Sequence, residues 1–173
     1  MILRIKEFLS SPEHTMEIRG ELKDQNSSYD ISDLDLIFPI TYSGNIFKLD
    51  KDLLLDLCIN YKYNTQCDRC LTPMVEEVSS CFKAYYTQDV ESKEDEATIE
   101  YFPLTEEGIF LDDLIISQVI TSKPLKELCK DDCKGLCPEC GKNLNEGPCS
   151  CKEELDVDPR FEKLLNLFND EEV

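Results

Sequence analysis

Eight of the ten cysteines in this 173-residue chain fall into four closely spaced pairs. The pairs are Cys67 and Cys70, Cys129 and Cys133, Cys137 and Cys140, and Cys149 and Cys151. Zinc takes four thiolate or imidazole ligands in a tetrahedron, and two cysteines separated by two residues can hold one ion from a tight turn. Four pairs therefore predict two complete four-cysteine sites and two Zn²⁺ ions per chain.

The spacing leaves two ways of sharing the pairs between the ions. In the first, the third and fourth pairs close around one ion through an eight-residue loop, residues 141–148, and the first pair joins the second across the fold. In the second, the two Cys-x-x-Cys pairs join in a zinc ribbon. We favour the first because a short loop has the lower closure entropy.

Two other chemistries use the same thiolates. A thioredoxin-like redox centre places its Cys-x-x-Cys within a βαβ pattern, whereas Cys67 and Cys70 lie between two predicted strands. An iron–sulfur cluster takes the same ligands, so the sequence leaves that alternative open. Cys58 and Cys81 have no partner nearby in sequence, and we predict that both are free, buried thiols.

Other groups that could carry catalysis are scarce. His14 is the only histidine, and it lies in the polar stretch SSPEHT, so we interpret it as a surface residue. Gly141-Lys142 lacks the upstream glycine and the following Ser or Thr of a phosphate-binding loop. Because all-cysteine zinc sites are closed whereas catalytic ones keep an open position, we predict that the chain is not an enzyme and has no small-molecule substrate.

The chain carries 37 acidic and 18 basic residues, which gives a formal net charge of −19. Nucleic-acid affinity depends largely on Lys and Arg that neutralise phosphates, so most of this surface should repel RNA and suit a basic partner. The N-terminal stretch has no signal-peptide pattern, and no run approaches the roughly 20 apolar residues that cross a bilayer. We therefore expect a cytoplasmic protein without a membrane partner. In that reducing compartment, clustered thiols favour metal binding over disulfides.

The elements that must position these cysteines are mainly strands. MILRI and MEIRGEL alternate over short stretches, and Gly44 in PITYSGNIFKL is interpreted as a turn. Residues 53–65 hold an apolar period of two, typical of a strand with one buried face. A second alternating run starts at Met74, so the two strands predict a hairpin with Cys67 and Cys70 at its tip.

Helices and a linker complete the predicted organisation. One helix is expected over Leu111 to Ser122, stopped by Pro124, and another begins at Asp158 with an apolar stripe along residues 161–168. The acidic segment 88–100 is interpreted as a solvated linker or an exposed loop. The fold class is therefore α+β, a mainly antiparallel sheet or partial barrel with one or two helices. We expect a β domain with one helix over residues 1–125 and a cysteine-rich zinc module with a terminal helix over residues 126–173.

Two motifs of the chain are recognisable: the run PLKELCKDDCKGLCPECGKNLNEGPCSC, residues 124–151, followed by DPR at 158–160, and the upstream CDRCL at 67–71. They resemble the C-terminal signature and the upstream motif of the YceD family. The family pattern often has a proline where Glu127 stands, and we expect this difference to loosen the local turn. The resemblance implies a role in accumulation of large-subunit ribosomal RNA and in ribosome assembly, without an established enzymatic activity. Family members are often encoded beside a small, basic, zinc-bearing ribosomal protein.

Two hypotheses follow for what the chain contacts. In the first, it is a non-catalytic assembly factor that binds a basic ribosomal protein or a pre-ribosomal particle and so meets rRNA only indirectly. In the alternative, a zinc module binds rRNA directly through basic side chains near the cysteines. Those side chains are Arg69, Lys130, Lys134 and Lys142. A thiol redox or RNA-processing enzyme is the least favoured interpretation, because general bases are missing.

Overall fold

The computed structural model describes residues 2–24, 27–50, 52–86, 100–105 and 108–151. In chain order the elements are β1 (Ile2–Leu3), α1 (Lys6–Ser10), β2 (Thr15–Leu22), a short 3₁₀ turn (Ser32–Leu34), β3 (Leu36–Leu49), β4 (Asp52–Gln66), β5 (Pro73–Tyr86), β6 (Glu100–Tyr101), β7 (Ile109–Phe110) and α2 (Leu111–Ser122). One sheet has the order β2-β3-β4-β5-β6, antiparallel except for the parallel β5–β6 pair, and β1 pairs antiparallel with β7. The predicted α+β class with a mainly antiparallel sheet is confirmed.

The long hairpin of β4 and β5 is the element that carries the first cysteine pair. Along β4 the odd positions from Leu53 to Tyr63 are all buried, as the period of two predicts. The register runs from Leu53 opposite Tyr86 to Gln66 opposite Pro73. Residues 67–72 therefore form the tip, where the sequence predicted Cys67 and Cys70.

The turn predicted at Gly44 is wrong. Gly44 lies in the interior of β3, opposite Leu57 of β4, and the chain reverses after Leu49, where Asp50 has a φ of 54°. A Cβ atom at Gly44 would collide with the carbonyl oxygen of Asp56. The glycine therefore permits close approach of two strands rather than a reversal.

Helix α2 covers the apolar face of the hairpin and has the bounds predicted for it. Its core-facing side chains are Leu111, Leu114, Ile115, Ile116 and Val119. The Tyr61 hydroxyl donates to the carbonyl of Val119 over 3.3 Å and lies 3.0 Å from the hydroxyl of Ser122. These contacts fix the point at which the chain leaves the helix towards the second cysteine pair.

The interpretation of Cys58 and Cys81 as free, buried thiols is also wrong. The two residues face each other across β4 and β5 and are joined by a disulfide. Even-numbered positions of β4 face away from the core, so Cys58 is only half-buried and Cys81 is exposed. Neither residue belongs to the groups of cysteines in the described part of the chain that could hold a metal ion.

Two predicted segments fall largely outside the described residues. Of the acidic segment 88–100 only Glu100 is described, as the first residue of β6, and the helix expected from Asp158 lies wholly outside. The division at residue 125 stays a prediction. Among the described residues, neither helix has the length and apolarity that a membrane crossing requires.

Candidate metal centres

The first cluster joins the hairpin tip to the segment that follows α2. Its members are Cys67, Cys70, Cys129 and Cys133, whose Sγ atoms all lie within 4.8 Å of one another. The Sγ atoms of Cys67 and Cys133 are 3.7 Å apart, and those of Cys70 and Cys129 are 3.6 Å apart. Two segments that are distant in sequence therefore contribute two thiols each.

The hairpin tip holds its two thiols by local hydrogen bonds. The Leu71 N–H donates to the carbonyl of Cys67 over 2.8 Å, and the Cys67 N–H donates to the carbonyl of Thr72 over 3.0 Å. Leu71 has a φ of 56°, which closes the turn, and the Thr72 hydroxyl lies 3.2 Å from the Cys70 sulfur. Both thiols thus point to the same side of a rigid turn.

Glu127 ties the second segment to the hairpin. Its backbone pairs with Asp68: the Asp68 N–H donates to the Glu127 carbonyl over 2.8 Å, and the Glu127 N–H donates to Asp68 Oδ2 over 2.7 Å. Its buried carboxylate accepts hydrogen bonds from the hydroxyls of Tyr63, over 2.7 Å, and Thr65. Lys123 Nζ lies 3.6 Å from it. The expectation that Glu127 loosens the turn is therefore wrong, since its side chain anchors the turn two residues before Cys129.

The second cluster is local in sequence. Cys137, Cys140, Cys149 and Cys151 bring their Sγ atoms within 4.8 Å of one another, with 3.4 Å between the sulfurs of Cys137 and Cys149. The Gly141 N–H donates to the Cys137 carbonyl over 2.9 Å, which forms a turn like that of the hairpin tip. The structure thus groups the eight cysteines by the first of the two pairings that spacing allowed.

The spacing of the sulfur atoms fits one tetrahedral ion in each cluster. With a Zn–S bond of about 2.3 Å, the edges of a regular tetrahedron of four sulfurs are about 3.8 Å. The described sulfur separations of 3.4, 3.6 and 3.7 Å are close to this value. All eight cysteines of the two clusters are free of disulfide bonds. An iron–sulfur cluster must accommodate several iron and sulfide ions between its thiolates, so single-ion sites fit this packing better.

The thiols of the first cluster differ in acidity. Hydrogen bonding from the Cys129 N–H lowers the pKa of Cys67 to about 6, against the opposing effect of burial. Desolvation and hydrogen bonding with neighbouring thiols raise the pKa of Cys129 to about 12. Burial alone would raise the pKa of Cys133, but hydrogen bonds from the Asn145 amide and the Gly135 N–H hold it below its ordinary value.

The second cluster shows the same division. N–H groups of Cys140 and Glu139 lower the pKa of Cys137 to about 7, whereas hydrogen bonding with Cys140 and desolvation raise the pKa of Cys151 to about 12. Each cluster therefore contains one thiol that ionises near neutral pH and one that keeps its proton. A metal ion that binds all four sulfurs as thiolates must displace at least that proton.

Three of the four basic side chains predicted for RNA contact have a hydrogen-bond or ion-pair partner in the segments around the cysteine clusters. The Arg69 guanidinium donates to the Cys133 carbonyl over 2.9 Å, and Lys142 Nζ donates to the Pro148 carbonyl over 2.9 Å. Lys130 Nζ lies 3.8 Å from a carboxylate oxygen of Asp132. Lys134 is exposed, and its N–H donates to Asn145 Oδ1 over 3.0 Å. His14 is exposed on the loop before β2, whose first residue pairs with Phe47 at the far end of the sheet.

Sequence reasoning missed the residues that hold the ligands. Glu127 and Asn145 contact the first cluster or its supporting turn, yet neither lies at a ligand spacing. Glu127 follows a helix in the stretch KPLKELCK, residues 123–130, and nothing in that stretch marks its carboxylate as buried. Asn145 lies in the loop between Cys140 and Cys149, where asparagine is also an ordinary turn residue.

Comparisons with known proteins cover the part of the chain that forms both clusters. The family model described as large ribosomal RNA subunit accumulation protein YceD matches residues 55–168. An uncharacterized protein of Mycobacterium tuberculosis is 33% identical over 108 residues, which are 61% of this chain and 51% of that protein. An uncharacterized protein of Mycobacterium leprae is 27% identical over 134 residues, 75% of this chain and 59% of that protein. The chain thus spans about half the length of the curated relatives it matches. No solved structure matches it.

Proposed function

The chain belongs to the family of large ribosomal RNA subunit accumulation protein YceD, and on that premise we propose that it is a non-catalytic, zinc-binding factor in ribosome assembly. It would support accumulation or processing of large-subunit rRNA in the cytoplasm. The observation that carries the proposal is the pair of four-thiol clusters, each sized for one tetrahedral ion. Four thiolates leave no open coordination position, which suits a structural rather than a catalytic metal.

The charge of the protein supports a basic protein partner. The formal net charge is −19, and one Zn²⁺ with four thiolates contributes −2, so two loaded sites would bring the charge to −23. We propose a basic ribosomal protein, alone or within a pre-ribosomal particle, as the partner, since attraction between opposite charges speeds encounter and selects partners. Contact with rRNA would then be indirect.

Direct RNA binding and thiol redox catalysis are less well supported. Arg69 and Lys142 direct their charged groups at carbonyls of the metal-binding loops, and Lys130 lies beside Asp132. These contacts use the side chains to hold the loops instead of offering a basic patch to phosphates. A catalytic redox pair needs an accessible thiolate, whereas Cys67 is fully buried among the other thiols of its cluster.

Metal analysis of the purified protein tests the metal part of this proposal. We expect two zinc ions per chain, and one zinc ion per chain after Cys67→Ser with Cys70→Ser or after Cys149→Ser with Cys151→Ser. One zinc in the unaltered protein, or iron with visible absorbance, would contradict the ligand assignment.

The partner can be tested by binding at two salt concentrations. A fluorescently labelled basic, zinc-bearing large-subunit ribosomal protein from the same source should bind the zinc-loaded chain, with an affinity that falls by about tenfold or more between 50 and 500 mM salt, because ions screen exposed charges. Binding by the variant with Cys67→Ser and Cys70→Ser, which lacks the first cysteine pair, shows whether recognition requires the first cluster. Binding that does not change with salt would refute the electrostatic basis of recognition.

A further inference from the structure

Asn145 connects the two clusters. It lies in the loop between Cys140 and Cys149 of the second cluster, yet its Nδ2 donates a hydrogen bond to the sulfur of Cys133, a member of the first cluster, over 3.3 Å. The orientation of the amide is fixed by its other end, because Oδ1 accepts the Lys134 N–H over 3.0 Å and only the oxygen can accept it. The NH₂ group must therefore face the sulfur.

The loop that carries Asn145 is itself held in place. Asn143 Oδ1 accepts two hydrogen bonds from Asn145, one from its backbone N–H over 3.0 Å and one from its side-chain amide over 2.9 Å. The Asn145 side chain is half-buried. Its position thus depends on the turn formed by residues 143–145, which lies within the loop between Cys140 and Cys149.

The backbone between the clusters forms a second connection. The Leu136 N–H donates to the Arg69 carbonyl at the hairpin tip over 3.1 Å, and the Leu144 N–H donates to the Gly135 carbonyl over 2.9 Å. Leu136 also forms a β-bridge with Asn143. The short segment that leaves Cys133 therefore lies between the hairpin of the first cluster and the loop of the second.

From this geometry we propose that the two metal sites are coupled, and that Asn145 is the positioning residue through which a metal ion in the second cluster strengthens metal binding in the first. Closing the Cys140–Cys149 loop around an ion fixes Asn145 beside Cys133. The amide then stabilises the negative charge of a sulfur that shares its ion with three other thiolates. Coupling between binding sites is reciprocal, so an ion in the first cluster strengthens binding in the second by the same factor.

The expected size of the effect follows from metal sites in general. Losing a group that hydrogen-bonds to a ligand typically costs about 10–100-fold in metal affinity. We therefore expect Asn145→Ala to weaken the first site by about tenfold. Asn145→Asp keeps the shape and the acceptor for the Lys134 N–H, but it places a carboxylate beside the sulfur and should weaken the site further.

The test is a Co²⁺ titration of the full chain against a competing chelator, read from the charge-transfer and d–d absorption of Co²⁺ bound to four thiolates. The first site is measured alone in a background with Cys149→Ala and Cys151→Ala, and the second alone with Cys67→Ala and Cys70→Ala. Asn60→Asp, at an exposed position on the outer face of β4, is the matched control for the added charge. Far-UV circular dichroism establishes that each variant keeps its sheet.

The proposal predicts a non-additive result. Asn145→Ala should weaken the first site in the otherwise unaltered chain and shift its sulfur-to-cobalt band to longer wavelength. It should have no further effect when the second cluster has been removed. First-site affinities in Asn145→Asp and Asn60→Asp that agree within about twofold would overturn the proposal, as would a first site that is indifferent to loss of the second cluster.

This inference rests on the proposed metal binding, and the same titration separates the two failures. If the unaltered chain binds no Co²⁺ with tetrathiolate absorption, the proposed function fails and the coupling fails with it. If the chain binds two ions and Asn145 has no influence on either, only the coupling is refuted.

Discussion

Replacing Glu127 by alanine should weaken the attachment of the segment that carries Cys129 and Cys133 to the hairpin. The carboxylate accepts hydrogen bonds from Tyr63 and Thr65 and lies near Lys123. Alanine keeps the backbone pairing with Asp68 but removes all three side-chain interactions. The perturbation therefore reaches the first metal site without touching a ligand.

The magnitude follows from the groups left behind. Tyr63 is fully buried, and a buried hydroxyl without a partner costs about 1–3 kcal/mol, while a hydrogen bond to a charged group contributes about 1.5–3 kcal/mol. We therefore expect Glu127→Ala to lower the free energy of unfolding by about 3 kcal/mol. If that energy acts wholly on assembly of the first site, its zinc affinity falls by about 100-fold, at 1.4 kcal/mol per factor of ten.

The ionisation of the Glu127 carboxylate determines the pH at which unfolding should be measured. Burial would raise the pKa of Glu127, but the hydrogen bonds from Thr65 and Tyr63 and the charge of Lys123 hold it below its ordinary value of 4.5. A carboxyl with a lowered pKa contributes its full stabilisation above the ordinary value and loses it as the pH falls through the lower folded value. At pH 7.5 the whole contribution is present.

The assay is urea unfolding at pH 7.5, with free zinc fixed by a metal buffer so that linkage to zinc is the same in every sample. Glu127→Gln, which keeps an acceptor oxygen but loses the charge, should cost about 1 kcal/mol. Glu77→Ala is the matched control, because Glu77 forms an exposed ion pair with Lys62, and such pairs contribute about 0–1 kcal/mol. Equal stabilities of Glu127→Ala and Glu77→Ala would show that the buried network does not hold the site.

Three further predictions concern the clusters and their surroundings. Because each cluster keeps one thiol with a pKa of about 12, zinc uptake at pH 8 should release at least one proton per ion. Calorimetry should then show binding heats that change with the ionisation enthalpy of the buffer. Binding heats that are the same in all buffers would contradict this prediction. Gly135 has a φ of 74°, and a Cβ there would lie 3.1 Å from the Arg69 carbonyl oxygen, whereas Gly141 has a φ of 71° and open space around it. Gly135→Ala should therefore lower the thermal unfolding midpoint more than Gly141→Ala. The reverse order would be inconsistent with close packing at Gly135. Cys58→Ser with Cys81→Ser should keep two zinc ions per chain, since neither residue belongs to a cluster, and loss of an ion would show otherwise.

Local pattern predicted the elements that depend on one stretch of sequence. The alternation along β4 follows from burial of a single face, and the end of α2 follows from Pro124, two residues beyond Ser122. Failures came where two distant stretches meet. The turn at Gly44 is predicted because glycine is a common turn residue. In the fold a glycine is needed there because the carbonyl oxygen of Asp56, on the next strand, leaves no room for a side chain. The Cys58–Cys81 bond depends on the register of two strands, which spacing along the chain does not reveal.

The dependence on contacts between separate segments also explains why the sequence did not reveal the residues that support the clusters. Ligand types and spacing are written in the sequence, because two thiols a few residues apart can reach one ion from a turn. The side chains that orient those thiols cannot be identified from residue type and spacing. Glu127 acquires its role from the hydroxyls of Tyr63 and Thr65 on β4, and Asn145 from a sulfur 12 residues earlier in the chain. Both roles exist only after the segments have come together.

The choice between the two pairings of cysteines depends more on these contacts between separate segments than on loop length. The first pairing leaves 8 and 58 residues between its cysteine pairs, and the ribbon pairing leaves 66 and 15. Since closure entropy grows only with the logarithm of loop length, the difference favours the first pairing by only about 0.7 kcal/mol. The network around Glu127, at about 3 kcal/mol, is several times larger. By pairing with Asp68 at the hairpin tip, Glu127 places Cys129 beside Cys70. The fold of the hairpin thereby selects the four cysteines of the first cluster, and the remaining four are left to form the second.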